Sequence, residues 1–121
     1  MLEYKEILKE KSILYVEDDE ALNYEYTRIF ELLFSEVVSV VNGKEALDKY
    51  EKNRYDIVLT DLTMPKINGI ELANKIRDIN KNQIILAMSG DNDLDMDKKK
   101  IFDNIFLKPI DLTELIKILA K

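Results

Sequence analysis

The sequence contains neither cysteine nor histidine in its 121 residues. The lack of cysteine excludes disulfides, thiol catalysis and thiolate metal sites, and the lack of histidine excludes imidazole ligands and Ser-His-Asp triads. Any metal that the chain binds must therefore be held by oxygen atoms. Oxygen ligands favour a hard cation such as Mg²⁺.

Positive charge is also in short supply, since 18 Lys and Arg stand against 24 Asp and Glu, for a net charge of −6. Without a basic face, we expect this domain to bind no nucleic acid. No apolar stretch reaches the length of a membrane span, and the first residues lack the apolar centre of a signal peptide. We therefore expect a cytoplasmic protein with no membrane partner.

Short apolar stretches alternate with segments of helical spacing along the chain. The predicted strands are residues 12–16, 37–41, 55–60, 83–88 and 105–107. This alternation predicts an α/β fold, a flavodoxin-like doubly wound sheet of five parallel strands in a single domain. We expect the domain to span residues 12–121, after a helical lead-in at 1–11. The polar stretch before the fifth strand predicts a shortened fourth helix.

The stretch 58–72 contains the first candidate functional residue. Its apolar run ends in one acid, Asp61, and the chain then turns through Met64-Pro65 and Asn68-Gly69 before helical spacing resumes. A short apolar run bounded by turns fits a strand buried on both faces. Asp61 would then lie at the carboxyl end of a strand, where open α/β sheets bind their ligands.

Other polar residues follow the predicted strands and should meet Asp61 at the same edge. They are Glu17 and Asp18 after the first strand, Ser89 after the fourth and Lys108 after the fifth. Two carboxylates about 4 Å apart repel by roughly 1 kcal/mol in water and about 4 kcal/mol at an effective dielectric of 20. A divalent cation and a nearby lysine would offset that repulsion. An aspartate can attack phosphorus, while lysine and serine can contact phosphoryl oxygens.

At this point the sequence resembles a known family. The matching segments are 13–18, 42–47, 56–61 with Met64-Pro65 and Asn68-Gly69, Ser89, and 106–109. In this order and spacing they resemble the receiver domain of two-component response regulators, with the chemotaxis single-domain regulators as the nearest architecture. The resemblance covers nearly the whole chain from Ser12 onward.

The resemblance implies a Mg²⁺ site. Asp18 would bind the ion directly, Glu17 through water, and Thr63 through its backbone carbonyl, beside Asp61. A shift by one residue would make the acidic pair Asp18 and Asp19 instead. We prefer Glu17 and Asp18 because they directly follow the last apolar residue of the first strand.

The resemblance also implies the phosphoryl chemistry. Asp61 would be the phosphoacceptor, Lys108 the phosphate-binding lysine and Ser89 the switch hydroxyl, with a cis peptide bond before Pro109. The sequence departs from the family at the switch aromatic, where Ile105 stands.

The function that follows is a phosphoacceptor switch. A sensor histidine kinase or a histidine phosphotransfer protein would donate the phosphoryl group, and a downstream protein or output domain would respond. We expect the chain to promote its own phosphotransfer and slow dephosphorylation, and not to be a turnover enzyme. The alternative is a receiver-like interaction module that is never phosphorylated.

Overall fold

The computed structural model describes residues 6–64, 66–90 and 100–120. The strands are β1 (Ser12–Val16), β2 (Glu36–Val40), β3 (Ile57–Asp61), β4 (Ile84–Ser89) and β5 (Asn104–Leu107). The helices are α1 (Glu20–Leu33), α2 (Gly43–Lys52), α3 (Gly69–Ile79) and α4 (Leu112–Leu119). All five strands are parallel and form one sheet in the order β2-β1-β3-β4-β5, which confirms the predicted doubly wound fold.

The shortened fourth helix that the sequence predicts falls on residues 91–99, outside the described residues. None of the helices within the described ranges has the length and apolar character needed to cross a membrane.

The sheet separates two apolar cores, because side chains alternate between the faces of each strand. The first core contains Ile13, Tyr15, Phe30, Leu59, Phe106 and Leu115, and therefore lies under α1 and α4. The second contains Leu14, Val16, Tyr50, Val58, Leu72 and Phe102, and lies under α2 and α3. All five residues of β3 are buried, as expected for a central strand covered on both faces.

Side chains cap the start of each of these four helices. Asp19 accepts from the backbone N–H groups of Ala21 and Leu22 at 3.0 and 3.1 Å. Asn42, Asn68 and Asp111 cap α2, α3 and α4 in the same way. Such caps satisfy N–H groups that the helix itself leaves unpaired. They also fix the loops between the strand ends and the helices, where the candidate site lies.

The opposite edge of the sheet, where the strands begin, is joined by side-chain hydrogen bonds, and we call it the amino edge. Asp56 Oδ2 accepts from the backbone N–H of Ser12 at 2.8 Å. The Tyr50 hydroxyl donates to Gln83 Oε1 at 2.6 Å. Asp103 Oδ2 accepts from the backbone N–H of Ile85 at 2.7 Å, so β5 is tied to β4 before their ladder begins.

Candidate functional site

Three carboxylates meet at the carboxyl edge of the sheet. Val16 pairs with Thr60, so the residues that follow them, Glu17 and Asp61, emerge side by side. Glu17, Asp18 and Asp61 each place a carboxylate oxygen within 4.8 Å of the others. Glu17 and Asp61 are buried, whereas Asp18 is exposed to solvent. The site is therefore an acidic pocket with one wall open to water.

Lys108 reaches into this pocket from the end of β5. Its Nζ lies 2.9 Å from Asp61 Oδ2 and 3.0 Å from Glu17 Oε1. Its backbone N–H donates to the carbonyl of Ser89 at 2.8 Å, which holds the lysine beside the end of β4. Burial lowers the pKa of Lys108, but hydrogen bonds to Asp61 and Glu17 outweigh it and leave the pKa raised. Lys108 is therefore a permanent cation at neutral pH.

The carboxyl group of Glu17 carries a raised pKa. Burial is the main cause, and the nearby charge of Asp61 adds to it. Hydrogen bonds from Lys108 and from the backbone N–H of Asp19 act in the opposite direction without cancelling the burial. One ammonium group thus leaves the three carboxylates under-neutralised. An all-oxygen donor set with excess negative charge fits a hard divalent cation such as Mg²⁺.

Contacts with the backbone carbonyl hold Asp61 in place, and one of its two carboxylate oxygens accepts a short hydrogen bond. The Thr60 hydroxyl donates to the Asp61 carbonyl at 2.9 Å. A Cβ at position 69 would collide with that same carbonyl oxygen, so the start of α3 requires glycine there. Asp61 Oδ2 accepts a hydrogen bond from Lys108, whereas from the described residues Oδ1 receives only a long contact of 3.4 Å, from the Thr63 N–H. One carboxylate oxygen therefore keeps its lone pairs available.

Ser89 is buried at the end of β4, the strand that separates Asp61 from β5. It pairs with Leu107, and its predecessor Met88 pairs with Asp61. This register places Ser89 on the rim between Asp61 and Lys108. The peptide bond between Lys108 and Pro109 is cis.

The two residues around the expected switch aromatic lie on opposite faces of β5. Ile105 is partly buried and packs against the core under α2 and α3. Phe106 is buried in the other core, under α4. Because neighbouring side chains of a strand point to opposite faces, Phe106 cannot stand in for an aromatic at position 105.

The structure distinguishes the two possible acidic pairs. Asp19 is occupied in capping α1, and its oxygens do not belong to the three-carboxylate cluster found among the described residues. Glu17 and Asp18 do belong to that cluster. The geometry thus favours the pair that directly follows β1.

The sequence analysis missed the buried polar side chains of Asn23 and Tyr15, which lie near the site. Asn23 of α1 donates to the backbone carbonyls of Glu17 and Val40. The Tyr15 hydroxyl is buried without a hydrogen-bond partner in the part of the chain that the structure describes. For Asn23, the available signal was an amide at helical spacing from Phe30, on the face of α1 that turns toward the core.

Comparison with known proteins bears directly on this geometry. The family profile of the response regulator receiver domain matches residues 13–120, nearly the whole described chain. The chain belongs to this family. Receiver domains are phosphoacceptor switches of two-component signalling, and the acidic pocket is in place here.

Individual relatives agree with the family assignment. The chain is 30% identical over 108 residues to the sporulation initiation phosphotransferase F of Bacillus subtilis, covering 87% of each protein. It is 35% identical over 109 residues to the transcriptional regulatory protein CiaR of Streptococcus pneumoniae, of which it spans 47%. The receiver domain thus accounts for about half the length of relatives such as CiaR.

Solved structures give the same result. A CheY-like receiver domain from Methylobacillus flagellatus superposes with a TM-score of 0.82 at 32% identity, covering 91% of this chain and 96% of that one. The response regulator TrrA of Thermotoga maritima, solved in complex with Mg(2+)-BeF, gives 0.78 at 29% identity and covers 90% and 96%. Members of the family bind Mg²⁺ at the acidic pocket and interact with histidine kinases and output domains.

Proposed function

We propose that Asp61 is the residue that accepts the phosphoryl group in this receiver domain. A histidine kinase or a histidine phosphotransfer protein would be the donor, since the chain has no histidine of its own. The observation that carries the proposal is the convergence of Glu17, Asp18 and Asp61 with the ammonium of Lys108.

The transfer uses the free oxygen of Asp61. Oδ1 attacks the phosphorus, the bond from phosphorus to the donor's imidazole nitrogen breaks, and the electron pair leaves with the imidazole. Lys108, already 2.9 Å from Oδ2, is placed to neutralise charge on the incoming group. Ser89 supplies a hydroxyl on the same rim.

Glu17, Asp18, Asp61 and the backbone carbonyl of Thr63 are the groups we propose to hold Mg²⁺. When bound, the ion would stabilise the charge on the phosphoryl oxygens. The raised pKa of Glu17 supports this role, because a bound cation would offset the burial of its charge, which is the main cause of the rise, and the nearby charge of Asp61, which adds to it.

We propose that the domain proper comprises residues 12–121 and that residues 1–11 form a lead-in to it. The family match over 13–120 supports the first boundary. Leu8 is fully buried in the core under α1 and α4, so the described part of the lead-in, residues 6–11, packs against the domain.

The deciding experiment is intact mass after incubation with acetyl phosphate and Mg²⁺. We expect one added phosphoryl group, lost when Mg²⁺ is chelated and absent from Asp61→Asn. Asp48→Asn is the matched control, because it makes the same substitution at an exposed position of α2. If no adduct forms in a folded wild-type protein, the proposal fails and the interaction module that is never phosphorylated becomes the leading alternative.

A further inference from the structure

Asn23 lies where the ladder between β1 and β2 ends. Val16 and Val40 are the last paired residues of the two strands. Past them, the backbone N–H of Glu17 donates to the Val40 carbonyl at 3.1 Å. The Asn23 side chain then reaches from α1 into the gap between the separating strands.

The Asn23 amide joins both strand ends. Its Nδ2 donates to the Glu17 carbonyl at 3.0 Å and to the Val40 carbonyl at 2.9 Å. Both hydrogens of the amide are thereby used. Asn23 is only 9% exposed, so water competes little for these carbonyls.

A hydrogen bond to the oxygen of the Asn23 amide fixes its orientation. The Thr27 hydroxyl, one turn along α1, donates to Asn23 Oδ1 at 3.2 Å. A flipped amide would present its oxygen to two carbonyl oxygens and leave the Thr27 hydroxyl facing an NH₂ group. The observed orientation is therefore the one that satisfies every polar group.

The Glu17 carbonyl belongs to the peptide that links Glu17 to Asp18. The direction of this peptide plane determines where both side chains leave the backbone, with Glu17 buried and Asp18 exposed. Fixing its carbonyl thus fixes the two carboxylates relative to Asp61. Groups behind the ligands of a metal commonly tune the affinity in this way.

We infer that Asn23 is a positioning residue for the acidic pocket, acting on Mg²⁺ affinity through the Glu17–Asp18 peptide. The inference rests on the proposed Mg²⁺-dependent function. It extends that function to a residue of α1 that touches neither the phosphoryl group nor the ion.

The test is a calorimetric titration with MgCl₂ of wild type, Asn23→Asp and Asn74→Asp. Asn74 is exposed on α3, so its variant makes the same change of charge on the surface, away from α1 and the strand ends that Asn23 joins. An added negative charge near the pocket would by itself strengthen cation binding. We nevertheless expect Asn23→Asp to bind Mg²⁺ about tenfold or more weakly, because a carboxylate cannot donate to the Glu17 and Val40 carbonyls.

Unchanged or tighter binding by Asn23→Asp would overturn the inference, while phosphorylation of wild type at Asp61 would leave the proposed function standing. A folded wild type that binds no Mg²⁺ would overturn both. If Asn23→Asp does not fold, Thr27→Val decides, since it keeps the amide but removes the bond that orients it. Its Mg²⁺ affinity should fall several-fold, and wild-type affinity would refute the role.

Discussion

At the scale of single residues, Glu17 stands out because an acid is buried where it is only partly neutralised. Its side chain is 1% exposed, and Lys108, its cationic partner within the described ranges, is shared with Asp61. A raised pKa in the folded state means that the folded chain binds the proton more tightly than the unfolded chain. The free energy of unfolding then falls as the pH rises from the ordinary glutamate value of 4.5 through the raised value.

We therefore expect metal-free Glu17→Gln to be more stable than wild type at neutral pH. The amide cannot ionise, so the variant avoids the unfavourable burial of charge. The difference should shrink as the pH falls toward 4.5, where wild-type Glu17 becomes protonated. Urea unfolding in a chelator at several pH values measures this. Equal stabilities across the range would contradict the assignment of the raised pKa to Glu17.

The residues of the pocket could be selected from the sequence because each follows an apolar stretch directly. In a parallel sheet, the residues that follow the strands all lie at the carboxyl edge. Asn23 could not be selected in the same way, since its partners are the carbonyls of Glu17 and Val40. Contacts with backbone atoms of distant residues leave no mark in the spacing of side chains. Asp19 likewise stayed an alternative member of the acidic pair until the structure showed that it caps the start of α1.

At the scale of elements, β5 lies at the edge of the sheet, and its neighbouring residues Ile105 and Phe106 pack into different cores. Phe106 is 3% exposed in the core with Leu115 and Leu119, whereas Ile105 is only partly buried on the other face. Their truncations should therefore have unequal effects.

We expect Phe106→Ala to lower the free energy of unfolding by about 3–5 kcal/mol, and Ile105→Ala by less than about 2 kcal/mol. Ile105 starts from a partly exposed environment, so less contact is lost. Urea unfolding of the two variants measures the difference. A larger effect at Ile105 would show that the strand presents its faces the other way round.

Helix α3 is joined to the chain before β5 through Arg77. The guanidinium donates to the Ile101 carbonyl at 2.7 Å, to the Lys81 carbonyl at 3.1 Å and to Asp103 at 3.2 Å. A lysine side chain has one nitrogen and cannot reach three separated acceptors.

We expect Arg77→Lys to lower the free energy of unfolding by about 1–3 kcal/mol. The control Lys75→Arg, at an exposed position of the same helix, should change it little. Wild-type stability of Arg77→Lys would show that these bonds contribute nothing.

The elements themselves were predictable, and their bounds less so. The strand predicted at 37–41 begins one residue earlier, at Glu36, and β3 includes Asp61, which the sequence analysis had placed just after it. Strand ends depend on pairing with neighbours, as between Asp61 and Met88, and pairing cannot be read from local composition. The segment 102–104 just before β5 has a structural use, because Phe102 fills a core and the Asp103 carboxylate accepts a hydrogen bond from β4.

At the scale of the whole molecule, ligand binding and folding are linked, because an ion that binds only the folded chain stabilises it. At about 100 times its dissociation constant, Mg²⁺ should raise the free energy of unfolding by about 2.7 kcal/mol. Asp61→Asn should lose most of this gain, and Asp48→Asn should keep it. Chemical denaturation with and without Mg²⁺ measures both. Equal gains in the two variants would place the ion elsewhere than the acidic pocket.

The bonds at the amino edge have a consequence for how the domain moves. Three side-chain hydrogen bonds fasten the beginnings of the strands: Ser12 with Asp56, Tyr50 with Gln83, and Asp103 with Ile85. The carboxyl ends of the strands instead pass into loops with charged side chains. We therefore expect any rearrangement that follows phosphorylation of Asp61 to stay at the carboxyl edge, while the beginnings of the strands keep their register. Amide protons near the amino edge should accordingly be the slowest to exchange with solvent, and their rates should change least when the domain switches state.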